Sequence, residues 1–103
     1  MNKLSIIVPC YNEEKTILSV IKEINEFKDL DKEIIIVDDG SNDSTREILK
    51  TIKDNSINIF YHDHNSGKGK AIRTGIEKSS GDIILIQDAD LEYSPKDYPA
   101  LLR

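Results

Sequence analysis

Residues 82–93 read DIILIQDADLEY, an apolar run that stops on two carboxylates separated by one small residue. Residues 83–86 are too few for a useful helix and rich in β-branched side chains, so they predict a strand buried on both faces, as in parallel sheets. Asp88 and Asp90 follow this strand. If the backbone stays extended there, residues two apart point to the same side and both carboxylates can face one cation. Mg²⁺ or Mn²⁺ is the cation favoured by such oxygen ligands, with open positions left for diphosphate oxygens.

An isolated Asp-X-Asp pair is more often a solvated strand end, so the rest of the chain has to decide. Its 103 residues and net charge of −5 describe one small acidic domain. That charge argues against a nucleic-acid partner, which would need a basic face. The single cysteine, Cys10, excludes an internal disulfide and is expected to be a small buried residue. The sequence shows neither a membrane-length apolar run nor a signal-peptide pattern, which favours a cytoplasmic location.

Hydrophobic patterning predicts strands at residues 4–9, 33–37, 57–61 and 83–86, with helices between them. Such alternation is typical of a right-handed parallel α/β sheet with helices on both faces. Ligands of open parallel sheets bind beyond the carboxyl ends of the strands. A central first strand, in the strand order 3-2-1-4, would bring the polar residues that follow three of the strands to one crevice. Those residues are Tyr11, Asn12, Glu13, Asp38, Asp39, Asp88 and Asp90.

Local signals also predict where the helices begin and end. Asn12 is a candidate N-cap for the first helix, and Ser44 with Glu47 matches a capping box for the second. In the third helix Ala71, Ile72 and Ile76 are expected to face inward, and Gly81 is the expected C-cap residue. Ser94 and Pro95 suggest the start of a fourth helix.

Four motifs occur in order: IVPCYNEE at 7–14, IVDDGS at 36–41, GKGKAIRTG at 67–75 and DAD at 88–90. Together they resemble the N-terminal, donor-binding half of family 2 glycosyltransferases with the GT-A fold, most closely the dolichyl-phosphate mannosyltransferase and polyprenyl-phosphate glycosyltransferase branch. The resemblance implies an α/β GT-A (Rossmann-like) sheet that is truncated here. Residues 1–103 would form the nucleotide-sugar-binding half of the domain, and the acceptor site and catalytic base would lie in the other half.

The resemblance implies transfer of a hexose from a GDP- or UDP-sugar to a polyprenyl phosphate or a saccharide. Tyr11 would offer a flat face to the nucleoside, Glu13 would accept from ribose hydroxyls, and Asp39 would accept from a base N–H. Asp90 would be the direct ligand of Mg²⁺ or Mn²⁺, with Asp88 near the ribose or a metal-bound water. The residues implied to bind the nucleotide sugar are Pro9, Tyr11, Glu13, Val37, Asp39, Lys68, Asp88 and Ala89.

Some features leave alternatives open. Glu92 stands where mannosyltransferase-like relatives often have Gln. Lys68 either reaches phosphate oxygens or lies on a solvated helix face, since the loop around it lacks the Walker spacing. His62 and His64 lack a third ligand that would favour a metal site.

Other function classes fit the sequence less well. A nucleotidyltransferase would need a basic glycine-rich loop after the first strand, and a phosphoacceptor receiver would need a different layout of acids. A nucleotide-binding scaffold without catalysis also remains open. We expect the chain alone to bind nucleotide without transferring sugar, and to self-associate through an exposed sheet edge at residues 83–86.

Overall fold

The computed structural model describes residues 3–26 and 31–89. Within these ranges strands and helices alternate, as the hydrophobic pattern predicts. The elements are β1 (Leu4–Cys10), α1 (Ile17–Asn25), β2 (Lys32–Asp38), α2 (Thr45–Lys50), β3 (Ile57–Tyr61), α3 (Lys68–Lys78) and β4 (Ile83–Ile86). The helix suggested at Ser94 lies outside the described residues. In the part of the chain that the structure covers, no helix has the length and apolar character that a membrane span requires.

The four strands form a parallel sheet in the order β3-β2-β1-β4, which confirms the predicted order. Helices cover both faces of the sheet. Alternate residues of the central strands point to opposite faces and pack into two separate hydrophobic clusters. Ile6 and Ile36 pack with α1 and α2 on one face. Ile7 and Ile35 pack with Ala71 of α3 on the other. The unbroken apolar runs of β1 and β2 are therefore buried on both sides.

Strand β4 departs from the expectation of burial on both faces. Ile83, Ile84 and Ile86 are 36%, 42% and 37% exposed, and only Leu85 packs against the main core. The reason is position: among the described strands, β4 pairs with β1 alone and lies at an edge of the sheet.

The predicted cap of the first helix is wrong, and the cap of the second is confirmed in position but not in its side-chain hydrogen bond. Helix α1 begins at Ile17, and Asn12 lies upstream with a φ of 54°. Its side chain instead caps a neighbouring loop, where Oδ1 accepts from the backbone N–H groups of Asn42 at 2.9 Å and Asp43 at 3.3 Å. Ser44 does precede α2, but its side chain makes no capping hydrogen bond.

Helix α3 packs on the sheet through Ala71, as predicted, but it differs from prediction at Ile76 and at its end. Ile76 is 44% exposed, while Ala71 and Gly75 are buried. These two residues are one helical turn apart, and they let α3 approach β1 closely, since a Cβ on Gly75 would lie 2.5 Å from Ile7. The helix ends at Lys78, and its C-cap residue is Ser79 rather than Gly81. Gly81 packs against β1 instead, where its N–H donates to the Ser5 hydroxyl at 2.8 Å.

Candidate nucleotide-sugar site

The carboxyl ends of β1, β2 and β4 surround a cleft of about 340 Å³. Its lining contains seven of the eight residues implied to bind a nucleotide sugar: Pro9, Tyr11, Glu13, Asp39, Lys68, Asp88 and Ala89. Val37 is not part of the lining, because its side chain is fully buried beneath α3. Asp90 lies outside the described residues.

The sequence interpretation missed four further lining residues: Cys10, Asn65, Gly67 and Ala71. Gly67 and Ala71 fall inside the motif at 67–75, so that motif carried the signal for both. Burial, reinforced by the negative charge of Asp38, raises the pKa of the Cys10 thiol well above its usual range. Cys10 therefore stays protonated and acts as a small buried residue, as predicted, rather than as a nucleophile.

Asp39 forms part of the cleft wall and is only 3% exposed. Its carboxylate accepts from Nδ1 of His62 at 2.8 Å and from the backbone N–H groups of Ser66 at 2.9 Å and Gly67 at 2.8 Å. Burial alone would raise the pKa of Asp39, but these hydrogen bonds outweigh burial and lower it. Asp39 is thus ionised near neutral pH and anchors the loop that leads into α3.

His62 has partners for both ring nitrogens. Nδ1 bonds to Asp39, and Nε2 lies 2.9 Å from Oγ1 of Thr74. The two loop histidines are not metal ligands in any described cluster, because residues 3–26 and 31–89 contain no group of three or more His, Cys, Asp or Glu placed to hold an ion.

The neighbouring acid, Asp38, has a different role. It is fully buried, and Oδ2 pairs with Nε of Arg46 at 3.1 Å. Arg46 also donates from Nη2 to the carbonyl of His62 at 2.7 Å and lies over the ring of Tyr61. Asp38 therefore ties β2 to α2 and to the end of β3, while Asp39 faces the cleft.

Two loops at this edge of the sheet are joined by side-chain hydrogen bonds. The N–H of Asn12 donates to the hydroxyl of Ser41 at 2.8 Å, and the N–H of Glu13 donates to the hydroxyl of Thr45 at 2.9 Å. The hydroxyl of Thr16 donates to the carbonyl of Ala89, which links this loop to the end of β4. These contacts fix Tyr11 and Glu13 at the cleft, although the residues they join are distant in sequence.

Lys68 and Asp88 form an ion pair in the lining of the cleft. The Lys68 ammonium contacts Oδ1 of Asp88, and the two side chains are 60% and 18% exposed. The pair brings one positive and one negative charge to the same wall. A diphosphate and a divalent cation are the ligand groups that such a pair suits.

The described residues fit a divalent cation only as part of a larger ligand set. Asp88 presents a carboxylate to the cleft, with one oxygen engaged by Lys68. Mg²⁺ typically keeps several waters and takes one or two carboxylates together with substrate phosphates, so three protein ligands are not required. Asp88 is therefore a suitable single ligand for a cation that arrives with a diphosphate.

Comparison with known proteins decides the family. Residues 5–103 match the family described as Glycosyl transferase family 2. The chain belongs to this family. It is 34% identical over 108 aligned positions to the undecaprenyl-phosphate 4-deoxy-4-formamido-L-arabinose transferase of Proteus mirabilis, an alignment that covers 99% of this chain and 33% of that protein. The family 2 chain thus spans about a third of that relative's length.

Solved structures agree with this assignment. Staphylococcus aureus TarS in complex with UDP-GlcNAc has a TM-score of 0.81 and 28% identity, over 97% of this chain and 30% of that one. Mannosyltransferase PcManGT from Pyrobaculum calidifontis, in complex with GDP-Man and Mn²⁺, has a TM-score of 0.80 and 29% identity, over 96% and 30%. The fold is accordingly that of GT-A glycosyltransferases, and the family assignment decides against the nucleotidyltransferase and receiver alternatives.

Proposed function

We propose that residues 1–103 form the donor-binding part of a glycosyltransferase that uses a nucleoside diphosphate sugar, and that the cleft is its donor site. The observation that carries this proposal is convergence: residues implied by four separate motifs line one cleft at the carboxyl edge of a parallel sheet. This is the edge at which open α/β sheets bind ligands. The solved relatives with bound GDP-Man or UDP-GlcNAc support the same ligand class.

The lining residues suggest an assignment for each part of the donor. Tyr11 is 40% exposed and offers a flat apolar face to the nucleoside. Glu13 lies beside it with a carboxylate for ribose hydroxyls, and Asp39 supplies an acceptor for the base. Lys68 lies where it can offset the negative charge of the diphosphate.

Asp88 and Asp90 are proposed to hold Mg²⁺ or Mn²⁺ together with the diphosphate. The Mn²⁺ present in the PcManGT complex supports a divalent cation without distinguishing the two metals for this chain. When bound, the cation would stabilise the negative charge that develops on the departing nucleoside diphosphate. The protein itself would orient the donor and place Lys68 beside the negative charge of the diphosphate.

The name of one relative supports a proposal for the acceptor, and the location is proposed together with it. The Proteus mirabilis protein is named for undecaprenyl phosphate, and we propose a polyprenyl phosphate acceptor, with a saccharide as the alternative, and a hexose as the transferred group. Such a reaction would take place at the cytoplasmic face of a membrane. Because the chain covers a third of that relative, we expect it to bind donor without transferring sugar.

We also propose that the chain self-associates through β4. The three exposed isoleucines of this strand lie at an edge of the described sheet. An open apolar edge presents unpaired backbone groups to a second strand. A second copy of β4 has the same length and the same apolar side chains, so the two strands can pair.

Nuclear magnetic resonance of the ¹⁵N-labelled chain tests the location of the donor site. On titration with UDP and Mg²⁺ we expect saturable shifts at the amides of Tyr11, Asn65 and Gly67, all of which line the cleft. The amides of Ser80 and Gly81, near the amino end of β1, serve as internal controls and should not shift. Shifts centred on these controls, or no saturable shift in a folded chain, would contradict the proposal.

A further inference from the structure

Thr16 occupies the N-cap position of α1, yet its hydroxyl does not cap that helix. A threonine at an N-cap commonly accepts a hydrogen bond from a backbone N–H of the first helical turn. The hydroxyl of Thr16 instead donates to the carbonyl oxygen of Ala89, which is 73 positions further along the chain. The side chain therefore joins two distant segments rather than stabilising its own helix.

The segment that carries Asp88 and Ala89 lies just past the end of β4. The N–H of Gln87 still donates to the carbonyl of Ile7 in β1, at 2.9 Å. The next two carbonyl groups are bound by side chains: that of Asp88 accepts from Nε2 of Gln87 at 3.0 Å, and that of Ala89 accepts from Thr16. Side chains thus hold the backbone at Asp88, where the pairing of β4 with β1 has ended.

The same hydroxyl lies beside Glu13. Oγ1 of Thr16 is 3.3 Å from Oε2 of Glu13, and its contact with Ala89 is the closer of the two. A hydroxyl has one proton to donate, so donation to Ala89 does not use an acceptor position of Glu13. Glu13 and Ala89 both line the cleft, whereas Thr16 does not. Thr16 therefore acts on a bound ligand through these two residues rather than by contact.

The two joined segments would bind different parts of one ligand. Glu13 is proposed to bind the ribose and Asp88 the cation at the diphosphate, and ribose and diphosphate are covalently linked. Glu13 precedes α1 and Asp88 follows β4, so the separation of the two carboxylates depends on what joins these elements. A site whose groups are already held in place loses less free energy to ordering when the ligand binds.

We propose that Thr16 is a positioning residue of the donor site, and that its hydroxyl fixes the backbone after Asp88 relative to Glu13. The inference rests on the proposed function and adds a residue that contacts neither nucleotide nor cation. Glu13 is also held from α2, because its N–H donates to the hydroxyl of Thr45 at 2.9 Å. Loss of the Thr16 hydroxyl would therefore loosen the Asp88 segment more than Glu13, and would weaken the part of the affinity that depends on the cation.

Thr16→Val tests this role, because valine keeps the branched shape of the side chain and lacks the hydroxyl. Calorimetry of UDP binding with and without Mn²⁺ gives the factor by which Mn²⁺ tightens binding. In Thr16→Val we expect this factor to fall about fivefold, the size of effect typical of one hydrogen bond, while UDP affinity without Mn²⁺ changes by less than about twofold. Thr16→Ser keeps the hydroxyl and should restore the Mn²⁺ effect.

Thr51→Val is the matched control. The hydroxyl of Thr51 also donates to a backbone carbonyl, that of Ile48 at 2.6 Å, but this contact is at the end of α2 and Thr51 does not line the cleft. The substitution removes a comparable hydrogen bond and should leave the Mn²⁺ effect unchanged. An unchanged Mn²⁺ effect in Thr16→Val, or an equal fall in both variants, would overturn the inference.

Backbone ¹⁵N relaxation of the unmodified chain without ligand tests the same inference whether or not the variants fold. We expect the amide of Ala89 to have an order parameter of about 0.85, as in rigid backbone, and a value below about 0.6 would overturn the role of Thr16.

Failure of the inference can be distinguished from failure of the proposed function. If the folded, unmodified chain does not bind UDP, the donor site is overturned and the inference with it. If the unmodified chain binds UDP more tightly with Mn²⁺ and Thr16→Val does so to the same degree, the donor site stands and only the role of Thr16 is overturned.

Discussion

At the residue scale, the wall of the cleft depends on a backbone approach that only glycine permits. Gly40 has a φ of 74°, and a Cβ there would lie 2.4 Å from the carbonyl carbon of His64 and 2.6 Å from the nitrogen of Asn65. Both contacts are to backbone, which cannot rotate away as a side chain can. Gly40 thus lets the loop after β2 pack directly on the loop before α3, and Asn65 of that loop lines the cleft.

Gly40→Ala should therefore destabilise the protein and weaken nucleotide binding together. The strained φ alone costs about 1–3 kcal/mol, and the overlap adds to it. Urea denaturation measures the free energy of unfolding. Gly69→Ala in α3 is the matched control, because a Cβ there meets nothing within 4 Å, and it should stabilise by about 0.5–1 kcal/mol. Equal effects of the two substitutions would contradict the role of Gly40.

At the element scale, Glu33 joins the amino end of β2 to β1 and to the segment before β4. Its Oε2 accepts from the Ser5 hydroxyl at 2.6 Å and from the N–H and hydroxyl of Ser80 at 2.6 and 3.0 Å, with Lys3 at 3.8 Å from Oε1. Burial opposes ionisation, but these partners outweigh burial and lower the pKa of Glu33 below its ordinary 4.5.

This shift predicts how stability depends on pH. A carboxyl group with a lower pKa in the folded state contributes stability above its unfolded pKa, and this contribution is lost as pH falls through the folded value. The free energy of unfolding should therefore decrease as pH falls below about 4.5. In Glu33→Gln the pH dependence should be shallower, with lower stability at pH 7. Glu47→Gln, at an exposed position of α2, is the control, and an identical pH profile in Glu33→Gln and the unmodified chain would count against this assignment.

The strands and their order could be predicted from the sequence, because the isoleucine and valine runs of β1 and β2 allow few other structures. Contacts between distant loops could not. Asn12 looked like a cap for its own helix, yet its partners, Asn42 and Asp43, are about 30 positions away. Gly81 looked like a helix end, but its close contact is with Ser5 of β1. Helix and turn propensities depend on neighbouring residues, so they do not predict contacts with residues that are distant in sequence.

The candidate site also combines features that the sequence predicts with contacts that it does not. The motifs indicated which residues share the cleft, since parallel strands bring their carboxyl ends to one edge. They did not show that three internal donors already occupy Asp39, or that Lys68 pairs with Asp88. Those facts depend on side-chain geometry that residue identity leaves open.

At the scale of the whole molecule, the exposed face of β4 predicts concentration-dependent association. Sedimentation velocity should show a monomer–dimer equilibrium, and Ile84→Lys should shift it toward monomer by placing charge on the edge. Leu18→Lys is the matched control, because Leu18 is 51% exposed and belongs to α1 rather than to β4. A purely monomeric chain at high concentration, or equal effects of the two lysines, would contradict pairing through β4.

The central claim is that the cleft binds a nucleoside diphosphate together with a divalent cation, and calorimetry of UDP binding with and without Mn²⁺ tests it most directly. We predict that Mn²⁺ tightens UDP binding about tenfold or more, the equivalent of at least about 1.4 kcal/mol. Asp88→Asn should lose most of this gain, while Asp63→Asn, on an exposed loop, should keep it. Two results would contradict the account: a UDP affinity that does not change when Mn²⁺ is added, or the same Mn²⁺ dependence in Asp88→Asn as in the unmodified chain.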